Sequence, residues 1–175
     1  MSGRRARLVL DPLTGSVDPE VGRWLAALEE VRRDTLETIA AIPADAVDRD
    51  PGDGGDTVGT VLYHVALVEL DWVFIDVLGR EDEPAMVALL PHDSRNDGGR
   101  LTPVRVESLQ EHLDRLARAR SAVLEELRPM TSADFRRARA RAEADISAAW
   151  AVFHLIDHEV EHRVRLSALR DAFRD

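Results

Sequence analysis

The sequence predicts an all-α fold, a four-helix bundle with long connections. Apolar residues recur at three- and four-residue spacing over long stretches, which is typical of amphipathic helices. No stretch of any length alternates polar and apolar residues as a strand would, and segments rich in turn-forming residues separate the helical stretches. Of the 175 residues, 45% are apolar and 32% are charged, as in ordinary globular proteins. The length favours one domain, residues 1–175.

The first helix is predicted to begin at residues 18–20, Asp-Pro-Glu. Aspartate is a favoured N-cap, proline fits the first turn, and glutamate is stabilised at the positive end of the helix. The helix should end near Ala41, just before Pro43. Residues 44–56 are rich in Gly, Asp and Pro and are therefore predicted to form a loop.

The second helix is predicted to begin after an Asp56 or Thr57 cap and to end near Leu78, with Gly79 closing it. It is so apolar that its length and composition would fit a membrane span. Its polar side chains argue against that placement, because they are costly in lipid; they are His64, Glu69, Asp71 and Asp76. We therefore interpret this segment as a central helix that packs on several sides, which would allow a subunit interface there.

Two more helices follow a long connection. Residues 80–101 are too many for a tight antiparallel turn and permit a crossover between parallel neighbours. The third helix is predicted from Thr102-Pro103 to Arg128. Residues 131–144 are predicted to form a connector in which Phe135 pins the chain to the bundle. The fourth helix should begin at an Asp145 cap and continue to about Phe173.

The absence of two residue types restricts the chemistry. The chain contains no cysteine, and all 23 basic residues are arginine. Disulfides, thiolate nucleophiles and cysteine metal ligands are thereby excluded, as are Schiff-base and general-base lysines. Catalysis would have to depend on His, Asp, Glu, Ser, Thr, Tyr63 or a bound ion.

The net charge of −10 argues against nucleic acid and against anionic membranes as general partners. Arginines cluster in two places, which we interpret as solvated faces offset by nearby acids; they are Arg115, Arg118 and Arg120, and Arg136, Arg137, Arg139 and Arg141. The first residues carry no long apolar run of the secretory kind, so the expected location is cytoplasmic.

Three histidines, His154, His158 and His162, recur every fourth residue in the last predicted helix. Imidazoles at this spacing lie on one surface and can converge on a divalent cation. The helical phase places His158 and His162 within an apolar stripe and His154 at its edge. The alternative is a row of histidines on a wet helix face.

His64 of the second helix lies in an apolar stripe too, and is its candidate partner. Three imidazoles, His64, His158 and His162, with an open position would match the pattern of catalytic zinc, although nickel, iron and copper also bind imidazole. Asp71 faces the same way but roughly 10 Å further along the axis, from the rise of 1.5 Å per residue. It fits a supporting or basic role better than that of a ligand to the same ion.

A rival motif overlaps the last two histidines. Residues 158–162, His-Glu-Val-Glu-His, formally match the signature of zinc metalloproteases, in which the glutamate is the general base. Only 13 residues follow His162, and none of them is His or Glu. Because the third ligand of such enzymes is missing, a protease is disfavoured.

The chain resembles the DinB/YfiT-like superfamily of four-helix-bundle metalloproteins. The resemblance depends on residues 57–64, Thr-Val-Gly-Thr-Val-Leu-Tyr-His, on residues 158–163, His-Glu-Val-Glu-His-Arg, and on the two long connections. It implies an up-down-down-up topology, frequent homodimers, and a metal triad at His64, His158 and His162. Members often continue as Arg-Gly-Gln after the last histidine, whereas here the chain reads Arg-Val-Arg at 163–165.

The resemblance also implies activities: transfer or isomerisation that depends on a low-molecular-weight thiol such as mycothiol or bacillithiol, and some metal-dependent hydrolysis. We therefore expect a metal-dependent enzyme, with zinc before nickel or iron, that activates an external thiol or water and acts on a small molecule. The alternative is a non-catalytic, binding or stress-associated dimer whose metal is structural or lost.

Several other residues have predicted roles near or away from this site. His154, Asp71 and Arg165 are expected to support the pocket. Arg165, with Arg163, could steer a carboxylate, but surface ion pairs of both arginines with Glu161 or Glu159 are the favoured interpretation. His92 is expected in a loop that could overhang the pocket. Surface positions are expected for His112, Glu125 and Glu126.

Overall fold

The computed structural model describes residues 8–52, 54–81, 84–141 and 144–173, and most of this part of the chain is helical. The predicted all-α fold is confirmed. In chain order the elements are α1 (Pro19–Ala40), a 3-10 turn (Ala44–Ala46), α2 (Val58–Leu70), its π-helical continuation (Asp71–Val77), α3 (Pro84–Leu89), α4 (Leu109–Leu127), α5 (Ser132–Arg136), β1 (Arg139–Ala140), β2 (Asp145–Ile146) and α6 (Ala148–Ala172).

The predicted ends of the first two helices are confirmed. The Asp18 carboxylate accepts a hydrogen bond from the Glu20 amide at 2.8 Å, and Pro19 opens α1. The Thr57 hydroxyl caps α2 by accepting from the Thr60 amide. Gly79 ends the π-helical turn with a φ of 70°, a conformation that side chains other than glycine rarely adopt.

The predicted start of the third helix was wrong. α4 begins at Leu109, where Ser108 and Glu111 form a reciprocal capping box. The preceding segment, 102–107, crosses the start of α2 instead: the Val104 amide donates to the Thr60 hydroxyl at 3.2 Å, and the Val106 amide donates to Asp48 at 2.8 Å. These bonds occupy the backbone that the prediction had assigned to a helix.

The start of the last helix also lies later than predicted. Ser147, rather than Asp145, caps α6 by accepting from the Trp150 amide at 3.1 Å. Asp145 pairs with Ala140 in the two-residue hairpin of β1 and β2. Phe135 is fully buried in the connector, as predicted.

Contacts between helices define the topology. α2 and α4 run parallel, because later residues of α2 contact later residues of α4. The contacting pairs are Gly59 with His112, Tyr63 with Arg115, and Glu69 with Arg120. α1 and α4 are antiparallel, because Arg32 contacts Leu116 whereas the earlier Leu28 contacts the later Arg120. α2 and α6 are antiparallel as well, because His64 contacts His158 whereas the later Trp72 contacts the earlier His154. The four long helices therefore run up-down-down-up, as the resemblance implied.

The central position of α2 explains its composition. It packs against both α4 and α6, and nearly all of its residues are buried. The segment Val58–Val77 is long and apolar enough to cross a membrane, but 78% of its most apolar window is buried inside the protein. This burial is that of a core helix.

Candidate metal centre

Three histidines from two helices meet at one point. His64 lies on α2, and His158 and His162 lie one turn apart on α6. The Nε2 atom of His158 is 3.2 Å from that of His64 and 3.0 Å from that of His162. The three donor atoms all lie within 4.8 Å of one another. We call these residues the histidine cluster; the structure brings together the three residues that the sequence selected.

The donor set fits a divalent cation. A neutral imidazole nitrogen offers either one hydrogen or one lone pair, so His158 Nε2 can satisfy only one of its two close neighbours by hydrogen bonding. A cation shared by three lone pairs would satisfy all of them. Ligands at about 2.0–2.1 Å in a tetrahedral site are roughly 3.3 Å apart, close to the two separations observed. The residues present therefore fit a metal ion.

Burial keeps the cluster neutral. Burial, followed by the neighbouring histidines and Arg95, lowers the pKa of His64 to about 4 and that of His158 to about 3. The pKa of His162 is lowered as well, chiefly by burial, although Glu161 and Asp56 oppose the shift. Neutral imidazole is the form that binds metals, so the lone pairs are available near neutral pH.

His154 lies beside the cluster and outside it. Its ring packs on Trp72, with centroids 4.4 Å apart, and stands 5.8 Å from the ring of His158. Trp72 belongs to the π-helical turn, whose wider backbone often marks a functional site. His154 thus lies between Trp72 and His158 in this series of ring contacts.

Asp71 lines a neighbouring cleft of about 430 Å³. Burial, and secondarily the charge of Asp76, raise its pKa to about 6. Leu67 and Ile75, from the same face of α2 as His64, line this cleft too, as do His92 and Arg95. The cleft thus follows α2 away from the histidine cluster, none of whose residues lines it. A supporting role of Asp71 stays a prediction.

The predicted ion-pair partner of Arg163 was wrong. Arg163 pairs with Asp34 of α1 at 2.5 Å rather than with Glu161 or Glu159. Arg165 is half-buried on α6. The arginine whose charge acts on all three histidines is Arg95, in the connection between α3 and α4.

A buried ion network lies beside the cluster and takes one residue from each long helix: Arg32, Glu69, Arg120 and Glu159. Arg32 donates to Glu69 and to Glu159, in each case at 2.7 Å. Arg120 also donates to both, and its bond to Glu159 measures 3.0 Å. Burial would raise the pKa of Glu69, but the two guanidinium groups outweigh it and lower that pKa. The Glu69 carboxylate is thus held charged in the core.

This network settles the role of the glutamate in the protease-like motif. Glu159 is 2% exposed and is bonded to Arg32 and Arg120. A general base must reach a substrate proton, and this carboxylate faces two cations in the core instead. The structure therefore agrees with the argument against a protease.

Three positions predicted on the surface or on a solvated face are buried: His112, Arg115 and Arg120. His112 is 1% exposed, and its Nδ1 lies 3.1 Å from Arg115 Nη1. Arg115 itself is bonded to Glu107 at 2.9 Å and lies over the ring of Tyr63 at 4.9 Å. Arg120, from the same predicted basic cluster, belongs to the buried ion network. The interpretation of the α4 arginines as a solvated face was wrong for these two.

The loop that carries His92 is fixed to α2 next to His64. The Tyr63 hydroxyl accepts from the His92 amide and donates to the His92 carbonyl, both at 2.8 Å. Further along the loop, Arg95 and Leu101 form an isolated antiparallel β-bridge through their backbones. The Arg95 Nη1 atom donates to the Gly99 carbonyl at 2.8 Å. The loop is thereby held in place along the cleft.

The sequence model of the DinB superfamily matches residues 27–164 of this chain, more than half of its length. The matched range contains the histidine cluster and the buried ion network. None of the curated proteins compared with the chain matches it.

Proposed function

This chain belongs to the DinB superfamily, and from that premise and the geometry of the histidine cluster we propose that it is a divalent-metal-dependent enzyme. The proposed ligands are His64, His158 and His162, with zinc before nickel or iron. The proposed reaction is transfer, isomerisation or hydrolysis on a small molecule, with an external thiol or water as the nucleophile.

One observation carries the proposal. Among the residues that the structure describes, the group that could hold an ion offers three donors, one fewer than a closed tetrahedral site needs. Structural zinc sites are closed with four protein ligands, whereas catalytic sites leave a position for water or substrate. The three-histidine arrangement therefore favours catalysis.

The ion would supply one kind of chemistry, lowering the pKa of a bound water or thiol so that it is an anion near neutral pH. The residues of this chain do the rest. The three imidazoles bring their donor atoms to one point, and the ring of His154, which packs on Trp72, lies 5.8 Å from that of His158. Because the chain has no cysteine, any thiol must come from outside.

The ion network also supports catalysis over a purely structural metal. It already ties α2 to α6 through Glu69 and Glu159, without any metal. A structural ion at the histidine cluster would duplicate that connection. We therefore expect chelation to remove activity while shifting the unfolding temperature little; a collapse of the fold on chelation would instead favour a structural site.

Elemental analysis tests the proposal directly. We expect about one divalent ion per chain by inductively coupled plasma mass spectrometry, and its loss in the double variant His158→Ala/His162→Ala. The matched control is His154→Ala, which removes an imidazole one turn away from the cluster and should keep the metal. Equal metal content in the double variant and the wild type would refute the ligand assignment.

A cytoplasmic, homodimeric protein is part of the proposal. Support for the dimer comes from α6, where large apolar side chains are exposed: Trp150 by 53%, Phe153 by 46% and Val164 by 67%. Exposed apolar side chains on one helix are typical of a contact surface. Light scattering coupled to size-exclusion chromatography would measure the mass, and a monomer would refute this part alone.

A further inference from the structure

The connection between α3 and α4 is anchored at both ends by one buried side chain of α4. Arg115 Nε donates to the Leu89 carbonyl at 3.0 Å, and Arg115 Nη2 donates to Glu107 at 2.9 Å. The residues between these anchors, 90–106, therefore form a loop with fixed ends, which we call the lid segment. A loop whose ends are held in this way can leave its docked position without moving a helix.

The lid segment packs on its own small hydrophobic cluster. The buried members of that cluster are Val104 from the lid segment and Tyr63 and Leu67 from α2, and none of the three is part of the main core of the described residues. Val68 and Leu90 contact both clusters. Regions with few buried apolar contacts open at a lower free energy than the whole protein. The lid segment can therefore undock while the helices stay packed.

Val106, at the end of the lid segment, has a strained backbone. Its φ is 68°, and a β-branched residue is an outlier in this left-handed region. Its side chain is 94% exposed, so side-chain packing does not offset the strain. Such conformations persist only where the surrounding structure holds them, and they cluster at ligand clamps and switch regions.

Bonds to Asp48 hold this conformation. The Val106 amide donates to Asp48 Oδ2 at 2.8 Å, and Arg105 Nη1 donates to the Asp48 carbonyl at 2.7 Å. Two residues earlier, the Val104 amide donates to the Thr60 hydroxyl at 3.2 Å. The docked position therefore keeps strain at Val106 that is released when the bonds to Asp48 break.

The lid segment forms one wall of the cleft beside α2. The lining residues that it contributes are Leu90, His92, Asp93, Ser94 and Arg95. Leu67 lines the same cleft from α2 and is covered by the small cluster that includes Val104. Undocking would remove this wall and expose Leu67. The cleft volume of about 430 Å³ suits a small molecule.

We propose that residues 90–106 are a lid that opens as a unit on this cleft, with Val106 as its strained hinge and Asp48 as the latch that holds it closed. The lid controls the access of a small-molecule ligand to the cleft. Opening breaks the bonds to Asp48 and Thr60, relaxes Val106 and leaves the four long helices in place. Because no metal takes part, the lid can be tested on the metal-free protein.

Thiol labelling tests the proposal, because the chain contains no cysteine. Val104→Cys puts one thiol in the small cluster, and Val152→Cys puts one in the main core on α6; the two valines are 1% and 0% exposed. The rate of reaction with dithionitrobenzoate reports how often each thiol is exposed to solvent. We expect the thiol at 104 to react about tenfold or more faster than the thiol at 152, since local opening costs less than global unfolding.

Two variants at Val106 isolate the strain. Combined with Val104→Cys, Val106→Gly should slow labelling by about threefold to tenfold, because glycine has no Cβ to strain the closed lid but gains more freedom when the lid opens. Val106→Ala is the matched control: it shortens the same exposed side chain but keeps the Cβ atom, so the decrease should be smaller. Asp48→Ala, which removes the carboxylate of the latch, should speed labelling.

The outcomes that overturn the proposal are distinct. Equal rates for the thiols at 104 and 152 would mean that the connection opens only when the whole protein unfolds. A rate with Val106→Gly no slower than with Val106→Ala would mean that opening releases no strain, and an unchanged rate with Asp48→Ala would mean that there is no latch. Leu67→Cys probes the cleft itself, and a labelling rate there that ignores both Val106→Gly and Asp48→Ala would show that the lid does not control access.

Discussion

Replacing Glu69 by glutamine should destabilise the protein strongly. The change removes the charge of one of the two buried carboxylates that pair with Arg32 and Arg120, whose third partner is the more exposed Glu29. The side chains of Arg32, Glu69 and Arg120 are between 2% and 7% exposed. Glu69 accepts a bond from each arginine, and a bond to a charged group contributes about 1.5–3 kcal/mol. We expect a loss of about 3–5 kcal/mol, because two such charged bonds are weakened in the core while Glu159 still pairs with both arginines.

The assay is urea unfolding followed by far-ultraviolet circular dichroism. Thermal melts followed by the same signal give a second readout. At about 2–4 °C per kcal/mol for a chain of this size, the melting temperature should fall by roughly 6–20 °C. Glu37→Gln, at an exposed position on α1, is the matched control and should change stability by less than about 0.5 kcal/mol.

A double-mutant cycle with Arg32→Gln tests the charge argument itself. The double variant restores the charge balance of the network, so it should lose about 1–3 kcal/mol less than the sum of the two single variants. If Glu69→Gln were no less stable than the Glu37→Gln control, or if the two network substitutions were simply additive, the reasoning would fail.

Three further changes have defined outcomes. Asp71→Asn should stabilise the metal-free protein above neutral pH, because burial and Asp76 raise the pKa of this carboxyl from 3.8 to about 6. A raised carboxyl pKa means stability that is present at low pH and lost as the pH rises through 6, so thermal melts should show the advantage fading as the pH falls below 4; an advantage independent of pH would contradict the burial argument. Tyr63→Phe removes the hydroxyl that bonds both backbone groups of His92, and hydrogen exchange should become faster in residues 90–101 with α1 unaffected. Ser108→Ala breaks the capping box of α4 and should cost about 1 kcal/mol in urea unfolding; a loss below 0.3 kcal/mol would mean that the cap is not needed.

The sequence predicted the parts of this protein that local patterns determine. The caps at Asp18 and Thr57 follow from side chains that bond neighbouring amides, and the spacing of His158 and His162 places them on one face of any helix. The errors at the starts of α4 and α6 came from choosing one capping residue where two were close together. Tertiary contacts, such as the bond from the Val106 amide to Asp48, decided between them.

The buried ion network could not be predicted in this way. Arg32 and Glu159 are 127 residues apart, and each alone resembles an ordinary charged residue on a helix. Two signals were present: Glu69 interrupts an apolar helix, and His112 and Arg120 share a face with Leu116 and Val123 on α4. A charged residue in an otherwise apolar stripe indicates a buried partner on another helix, and here that partner comes from α1 and α6.

The ion network has a consequence for the folding reaction. Each long helix contributes one charge, so any partly folded state that lacks a single helix must bury an unbalanced ion or keep its core open to water. An intermediate with three docked helices is therefore less stable than the loss of its apolar contacts alone would make it. The four helices of this bundle should consequently form and separate as one cooperative unit, with no stable three-helix fragment.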